Sequence, residues 1–190
     1  NGTMWFDTKE GKLKIFLNNK WEVSSKDLDF NIRNLFLNSR DCTGGGWSFD
    51  RAARTNNQYQ GTYIIETGND WGSADYACQN LFTRGVVKKG DNVTYCVLAR
   101  LTGATGVTKD LRFYCENSPV NNSIIGQVTT EWKQFYVTMS IVDAMNTAGS
   151  KMRVEVGDLE ASKLKLQTTS PILVQGEVAV NWIPAPEDTQ

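Results

Sequence analysis

The sequence contains no histidine. That absence excludes Ser-His-Asp and Cys-His catalysis and removes the commonest zinc ligand. Cysteine is scarce: Cys42, Cys78, Cys96 and Cys115 form no CxxC pair and match no zinc-finger spacing. Charge of one sign is also missing. With 20 Lys and Arg against 21 Asp and Glu, the net charge of −1 creates no field that draws in nucleic acid or anionic lipid. No apolar run approaches the roughly 20 residues of a membrane helix. Neither nucleic-acid binding nor membrane insertion is expected. No glycine-rich phosphate loop and no metal-ligand spacing supports catalysis. Asp70 and Asp75 are the obvious carboxylate pair for a glycosidase, but any chain with 21 acidic residues offers pairs. The expectation is therefore a non-enzyme. Long helical patterns are absent as well, since residues 140–148 allow a turn or so at most. Residues 1–190 show no signal-peptide pattern, and Asn1-Gly2-Thr3 reads as a cut inside a longer chain.

What is present is a series of short β runs separated by turn residues, the pattern of a sandwich or barrel. Leu111, Phe113 and Cys115 alternate with Arg112, Tyr114 and Glu116. Phe135, Val137, Met139 and Ile141 alternate with polar neighbours, as do Met152, Val154 and Val156. Such alternation gives one buried face per strand. Residues 92–100 are apolar on both faces and read as a central strand. Val178, Val180 and Trp182 read as the closing strand. The expected fold is all-β, a jelly-roll sandwich of two stacked antiparallel sheets.

Three segments are expected. Residues 1–24 form a small β hairpin or meander carrying Trp5, Phe6, Phe16 and Trp21, turned at Asn18-Asn19. So few residues cannot bury that much aromatic surface alone, so the element packs on a partner, either its own domain or symmetry mates. Residues 25–33 form a polar linker, and residues 34–190 form the jelly roll. Within the latter, Leu164–Glu177 contains Pro171 and is expected to be an extra hairpin or long loop.

Saccharide binding needs flat aromatic faces for the C–H side of a sugar ring, with amide and carboxylate groups nearby for the hydroxyls. Gly68-Asn69-Asp70-Trp71-Gly72-Ser73-Ala74-Asp75-Tyr76 supplies both within a glycine-rich loop. Asn69, Asp70, Trp71, Asp75 and Tyr76 are therefore candidate ligand residues, the competing reading of Trp71 being an aromatic lid on the core. Arg54–Tyr59 reads as a second polar loop, and Asn57 and Tyr59 join the site if the two loops are adjacent. Trp47 and Trp132 border strands and read as core.

The chain ends on Trp182-Ile183-Pro184-Ala185-Pro186-Glu187-Asp188-Thr189-Gln190. Two prolines, two apart, stop sheet pairing and favour an extended exit. This run resembles the closing segment of carbohydrate-binding-like β-sandwich modules in tail fibre and baseplate proteins of tailed bacteriophages. The N-terminal Trp5-x-Asp7-Thr8 element and its following strand resemble the small elements that pack around a threefold axis in such proteins. Most of residues 34–190, with Asn34–Ser39, Thr83–Tyr95, Glu131–Phe135 and Met152–Glu160, is similar to jelly-roll carbohydrate-binding modules of phage tails and glycoside hydrolases.

The resemblance implies a virion tail protein, assembled in host bacterial cytoplasm as a homotrimer among other tail subunits. It implies non-catalytic binding of a host cell-surface polysaccharide. A reducing assembly compartment implies free cysteines, with a Cys42–Cys78 disulfide as the alternative. No organic cofactor is implied. A structural calcium is, with Asn38, Asp41, Asp158 and Glu160 as its oxygen ligands, the last two sharing parity on a strand. Two other readings stay open: a structural tail subunit that contacts only its neighbours, and the binding module of a secreted bacterial hydrolase.

Overall fold

The computed structural model describes residues 3–7, 12–17, 20–23 and 32–189. The chain divides into two compact units, Asn1–Ile32 and Arg33–Gln190. In the first, β1 (Thr3–Asp7), β2 (Lys12–Leu17) and β3 (Lys20–Val23) form an antiparallel meander in sequential order.

The second unit is a sandwich of two five-stranded sheets whose paired strands are all antiparallel. Its elements run β4 (Trp47–Asp50), β5 (Ala53–Tyr59), β6 (Thr62–Thr67), β7 (Ser73–Ala77), α1 (Cys78–Thr83), β8 (Asn92–Thr102) and β9 (Lys109–Tyr114). They continue with β10 (Ser123–Val128), β11 (Lys133–Ser140), β12 (Lys151–Glu155), α2 (Leu159–Ser162) and β13 (Lys165–Gln175). One sheet has the order β10-β9-β12-β7-β4, and the other β11-β8-β13-β6-β5. The all-β jelly roll with a preceding meander is the fold expected from the alternating strands.

The core lies between the sheets. Leu111 and Phe113 of β9, Met152 and Val154 of β12, and Val93, Tyr95 and Val97 of β8 are buried there. In β9 and β12 the outward neighbours are polar, so period-2 patterning directs these side chains. Phe36, Trp47 and Tyr76 pack ring against ring at centroid distances of 4.3–5.3 Å. β8 is buried on both sides because residues 177–184 cross the outer face of its sheet. Cys96, Ile172 and Val174 pack there against Ala179, Val180 and Trp182.

Four expectations need correction. Residues 178–182 are not a strand: they form an extended strap over that sheet face. Leu164–Glu177 is no added loop but contains β13, which lies between β8 and β6. Pro171 is tolerated there because the β8 pairing skips between Thr169 and Ile172, so no ladder bond is asked of it. Ser170, at φ 56°, takes up the bulge. Residues 53–59 are strand β5 rather than a loop. The strand expected over Met152–Glu160 stops at Glu155, and Asp158 and Glu160 belong to the start of α2.

Candidate functional site

The outer face of the β10-β9-β12-β7-β4 sheet carries two adjoining hollows of about 350 and 420 Å³ that share Asp50 and Arg153. Each lies within the range of small-ligand sites. The first is bounded by Trp71, Tyr114, Asn122 and Arg51, the second by Phe49, Ser48, Glu116 and Lys151. Together they form one groove. Inside the sandwich, a void beside Cys42, Trp47 and Tyr95 measures about 10 Å³, water-sized at most.

Trp71 forms one wall. The residue is 43% exposed, and its backbone is held left-handed at φ 60°. That conformation is uncommon for a bulky residue and persists only where the surroundings impose it. Here several contacts do. The Trp71 N–H donates to Val156 O at 3.0 Å. Asp70 Oδ1 accepts from Leu159 N–H at 2.5 Å and Glu160 N–H at 3.2 Å, capping α2 from outside. Asn69 Nδ2 donates to Arg51 O at 3.0 Å. The six-membered edge of the indole lies over Gly157, where a Cβ would sit 2.6 Å from Cη2 and 2.7 Å from Cζ2. Gly157 thus leaves the room that the ring occupies.

The floor is polar and already paired. Lys151, Arg153 and Glu155 project from β12 between the buried Met152 and Val154. The Arg153 Nε–H donates to Glu155 Oε1, and Nη1 donates to Glu116 Oε1 at 3.0 Å. The Arg153 guanidinium also covers the Tyr114 ring at 4.2 Å. Lys151 Nζ donates to Ser48 Oγ at 3.2 Å and Asp75 Oδ2 at 3.4 Å, while the Ser73 hydroxyl donates to Asp75 Oδ1. Burial pushes the Glu155 carboxyl above its ordinary range; Arg153 opposes that shift, and Asp75 and Glu116 add to it. Arg153 is held above its ordinary range: burial lowers it, but the bonds to Glu155 and Glu116 outweigh that. Four carboxylates (Asp50, Asp75, Glu116, Glu155) face three cations (Arg51, Lys151, Arg153). Such a floor presents fixed donors and acceptors to hydroxyl groups while holding its charges in mutual compensation.

The sequence candidates separate by role. Trp71 and Asp75 line the groove. Asn69 and Asp70 position the loop rather than face the groove. Tyr76 is fully buried in the aromatic cluster, and its hydroxyl donates to Asn80 Oδ1 at 2.8 Å; it is a core residue. Asn57 and Tyr59 lie on β5 of the other sheet and do not line the groove. Tyr59 instead stacks on Trp132 at 4.7 Å, with Arg100 4.8 Å from the Trp132 ring centre. Trp132 is accordingly half-buried on that stack rather than a core residue.

The residues named for calcium are dispersed over other partners. Asp41 meets Arg54 at 3.3 Å, Asp158 pairs with Lys109, and the Asn38 N–H donates to Asp188. Glu160 stands on α2, so the shared strand parity with Asp158 does not arise. Among the described residues no group of three or more Cys, Asp or Glu side chains gathers as a metal site. Tyr114, Arg153, Glu155, Glu116 and Lys151 were not singled out from sequence. Their outward parity was readable; their convergence was not.

No family model matches the chain, and no curated protein matches it. Solved structures share its fold. The CBM22-1 xylan-binding domain of Paenibacillus barcinonensis Xyn10C aligns with a TM-score of 0.51 over 78% of this chain and 94% of its own, at 16% identity. The CBM22-2 xylan-binding domain of the same protein gives 0.52 over 76% and 98%, at 10% identity. The C-terminal family 22 carbohydrate binding module of Clostridium thermocellum Xyn10B gives 0.51 over 78% and 95%, at 14% identity. At these identities the likeness is one of fold, that of carbohydrate-binding jelly rolls.

Proposed function

We propose that residues 33–190 form a non-catalytic saccharide-binding module whose ligand lies in the groove between Trp71 and Tyr114. The observation that carries this reading is the exposed Trp71 ring, held by Asp70, Val156 and Gly157 at the edge of a hollow whose floor is polar and pre-paired. A ring fixed in this way offers a flat apolar face to a sugar without losing rotamer freedom on binding. Glu155 and Asp75 supply acceptors, and Arg153 and Lys151 supply donors. Weak single sites of this kind gain strength by multivalency.

The setting we propose is a tail fibre or baseplate of a tailed phage, with a bacterial surface polysaccharide as ligand and trimeric display. Its support is the resemblance of Trp182–Gln190 and of the N-terminal element. A second reading, a module of a secreted hydrolase, draws on the fold shared with domains that bind xylan.

The test is titration of the chain against xylan, other neutral glycans and isolated bacterial surface polysaccharides, with W71A and Y114A compared after matching their circular dichroism. Loss of a stacking aromatic is expected to weaken binding by up to about tenfold, from the roughly 0.5–1.5 kcal/mol of such a contact. Binding of surface polysaccharide alone favours the virion setting, and binding of xylan alone the hydrolase setting. Unchanged affinity in both variants would remove the groove as the site. No binding by monomer or trimer would leave the structural tail subunit as the better reading.

A further inference from the structure

Cys78 and Cys115 are 37 residues apart in sequence, yet their Sγ atoms stand 3.5 Å apart in the core, both closed to solvent. Cys78 opens α1 directly after β7, and Cys115 directly follows β9. Both backbones are fixed. The Cys78 N–H donates to Ser150 O at 2.9 Å, and the Cys115 N–H to Asn121 Oδ1 at 3.0 Å. The other thiols have different surroundings. Cys42 Sγ lies 3.8 Å from Ser39 O, and Cys96 packs under the strap with Ile172 and Val174. All four are free thiols in this structure.

A disulfide holds its sulfurs about 2.05 Å apart, so closure asks for about 1.5 Å of approach, within reach of small torsional changes in two short side chains. We propose that Cys78 and Cys115 are a latent disulfide site, closed without loss of the native fold when the chain meets a disulfide oxidant such as oxidised glutathione. One protein thiolate attacks a glutathione sulfur, expelling one glutathione thiolate and forming a mixed disulfide. The second attacks the protein sulfur of that mixed disulfide and expels the other. The glutathione S–S bond and two protein S–H bonds are lost. One protein S–S bond forms, and two reduced glutathiones carry the two hydrogens and two electrons.

The hydrogen bond with Cys115 and burial together push the Cys78 thiol far above its ordinary range. Thiolate is therefore scarce in the folded chain, and closure belongs to folding or to local opening of the core. The pairing depends on no property of the groove. It also differs from the Cys42–Cys78 alternative raised by the sequence, because the partner that reaches Cys78 is Cys115.

The whole chain is unfolded in guanidinium and refolded in oxidised and reduced glutathione. It is then acid-quenched, unfolded again with N-ethylmaleimide, and read by intact mass and peptide mapping. Two labels rather than four are expected, with peptides joined through Cys78 and Cys115. C78S and C115S are each expected to carry three labels. The closed form is expected to melt roughly 5–10 °C higher than the reduced one, a gain that dithiothreitol removes. Four labels on a chain with native circular dichroism would overturn the proposal. So would a link between a different pair, or a closed form that melts lower. The wild-type map decides between pairs even if the serine variants fold poorly.

Discussion

A single hydrogen-sized side chain sets the groove wall. The space above Gly157 holds the Trp71 indole edge, and Gly157 itself is not left-handed, so alanine is permitted by the backbone. G157A is therefore expected to act only by displacing the indole. We expect an affinity loss on the order of tenfold with an unchanged melting profile. A titration showing full affinity would mean the ring orientation is irrelevant to binding. Glu155 gives a second test, in which stability and binding move in opposite directions. Its folded pKa is raised, so the folded chain holds its proton more tightly than the unfolded chain. Its contribution to stability is then greatest at low pH and falls as pH rises from the unfolded value through the raised one. E155Q mimics the neutral form. It is expected to flatten the stability profile above pH ~4.5, the range where a glutamate ordinarily titrates, while weakening saccharide binding at pH 7 through loss of an acceptor. Urea melts at several pH values would expose the error if the variant kept the wild-type slope.

At the level of elements, the groove shows what periodicity reveals and what it leaves out. The alternation in β9 and β12 marked Tyr114, Arg153 and Glu155 as outward from sequence. Nothing local said that these strands are neighbours, or that Arg153 reaches Glu116, 37 residues away. Trp71 was legible because its loop is polar and rich in glycine. Tyr76 misled for the opposite reason. Strand β7 begins at Ser73, so Asp75 faces out and Tyr76 faces in, and a one-residue step exchanges faces. Pro171 was misread as a break because a proline in a central strand normally is one. The bulge at Thr169–Ile172 removes the objection, but it is created by pairing with β8, which the segment does not encode by itself. The short α2 depends likewise on a distant residue, because Asp70 rather than a local side chain caps its first N–H groups. That cap contributes about 1 kcal/mol and ties the loop of Trp71 to the helix.

Across the second unit, one buried amide joins segments that are far apart in sequence. Asn34 Nδ2 donates to Ser39 Oγ at 2.7 Å and to Ile183 O at 2.9 Å, while its Oδ1 accepts from Phe36 N–H at 3.0 Å and Leu173 N–H at 3.3 Å. N34A leaves these partners unsatisfied in the interior and is expected to cost about 3 kcal/mol, measured by urea unfolding. A loss below about 1 kcal/mol would show that water replaces the amide. The same region receives the strap. Glu187 pairs with Arg33 and Arg84, the Asp188 carboxylate accepts from the Asn38 N–H at 2.9 Å, and the Trp182 Nε1–H donates to Ser39 Oγ at 2.9 Å.

Residues 33 and 188 are thereby clasped at one place, and this has a mechanical meaning. Tension applied between those two points meets the clasp before it meets either sheet, so the strands that shape the groove bear none of it until the clasp opens. Pulling the unit from these positions should give a small early extension and then the main rupture; a single rupture would mean that force enters the sheets directly. With the clasp shut, a chain drawn at both points keeps its groove unstrained.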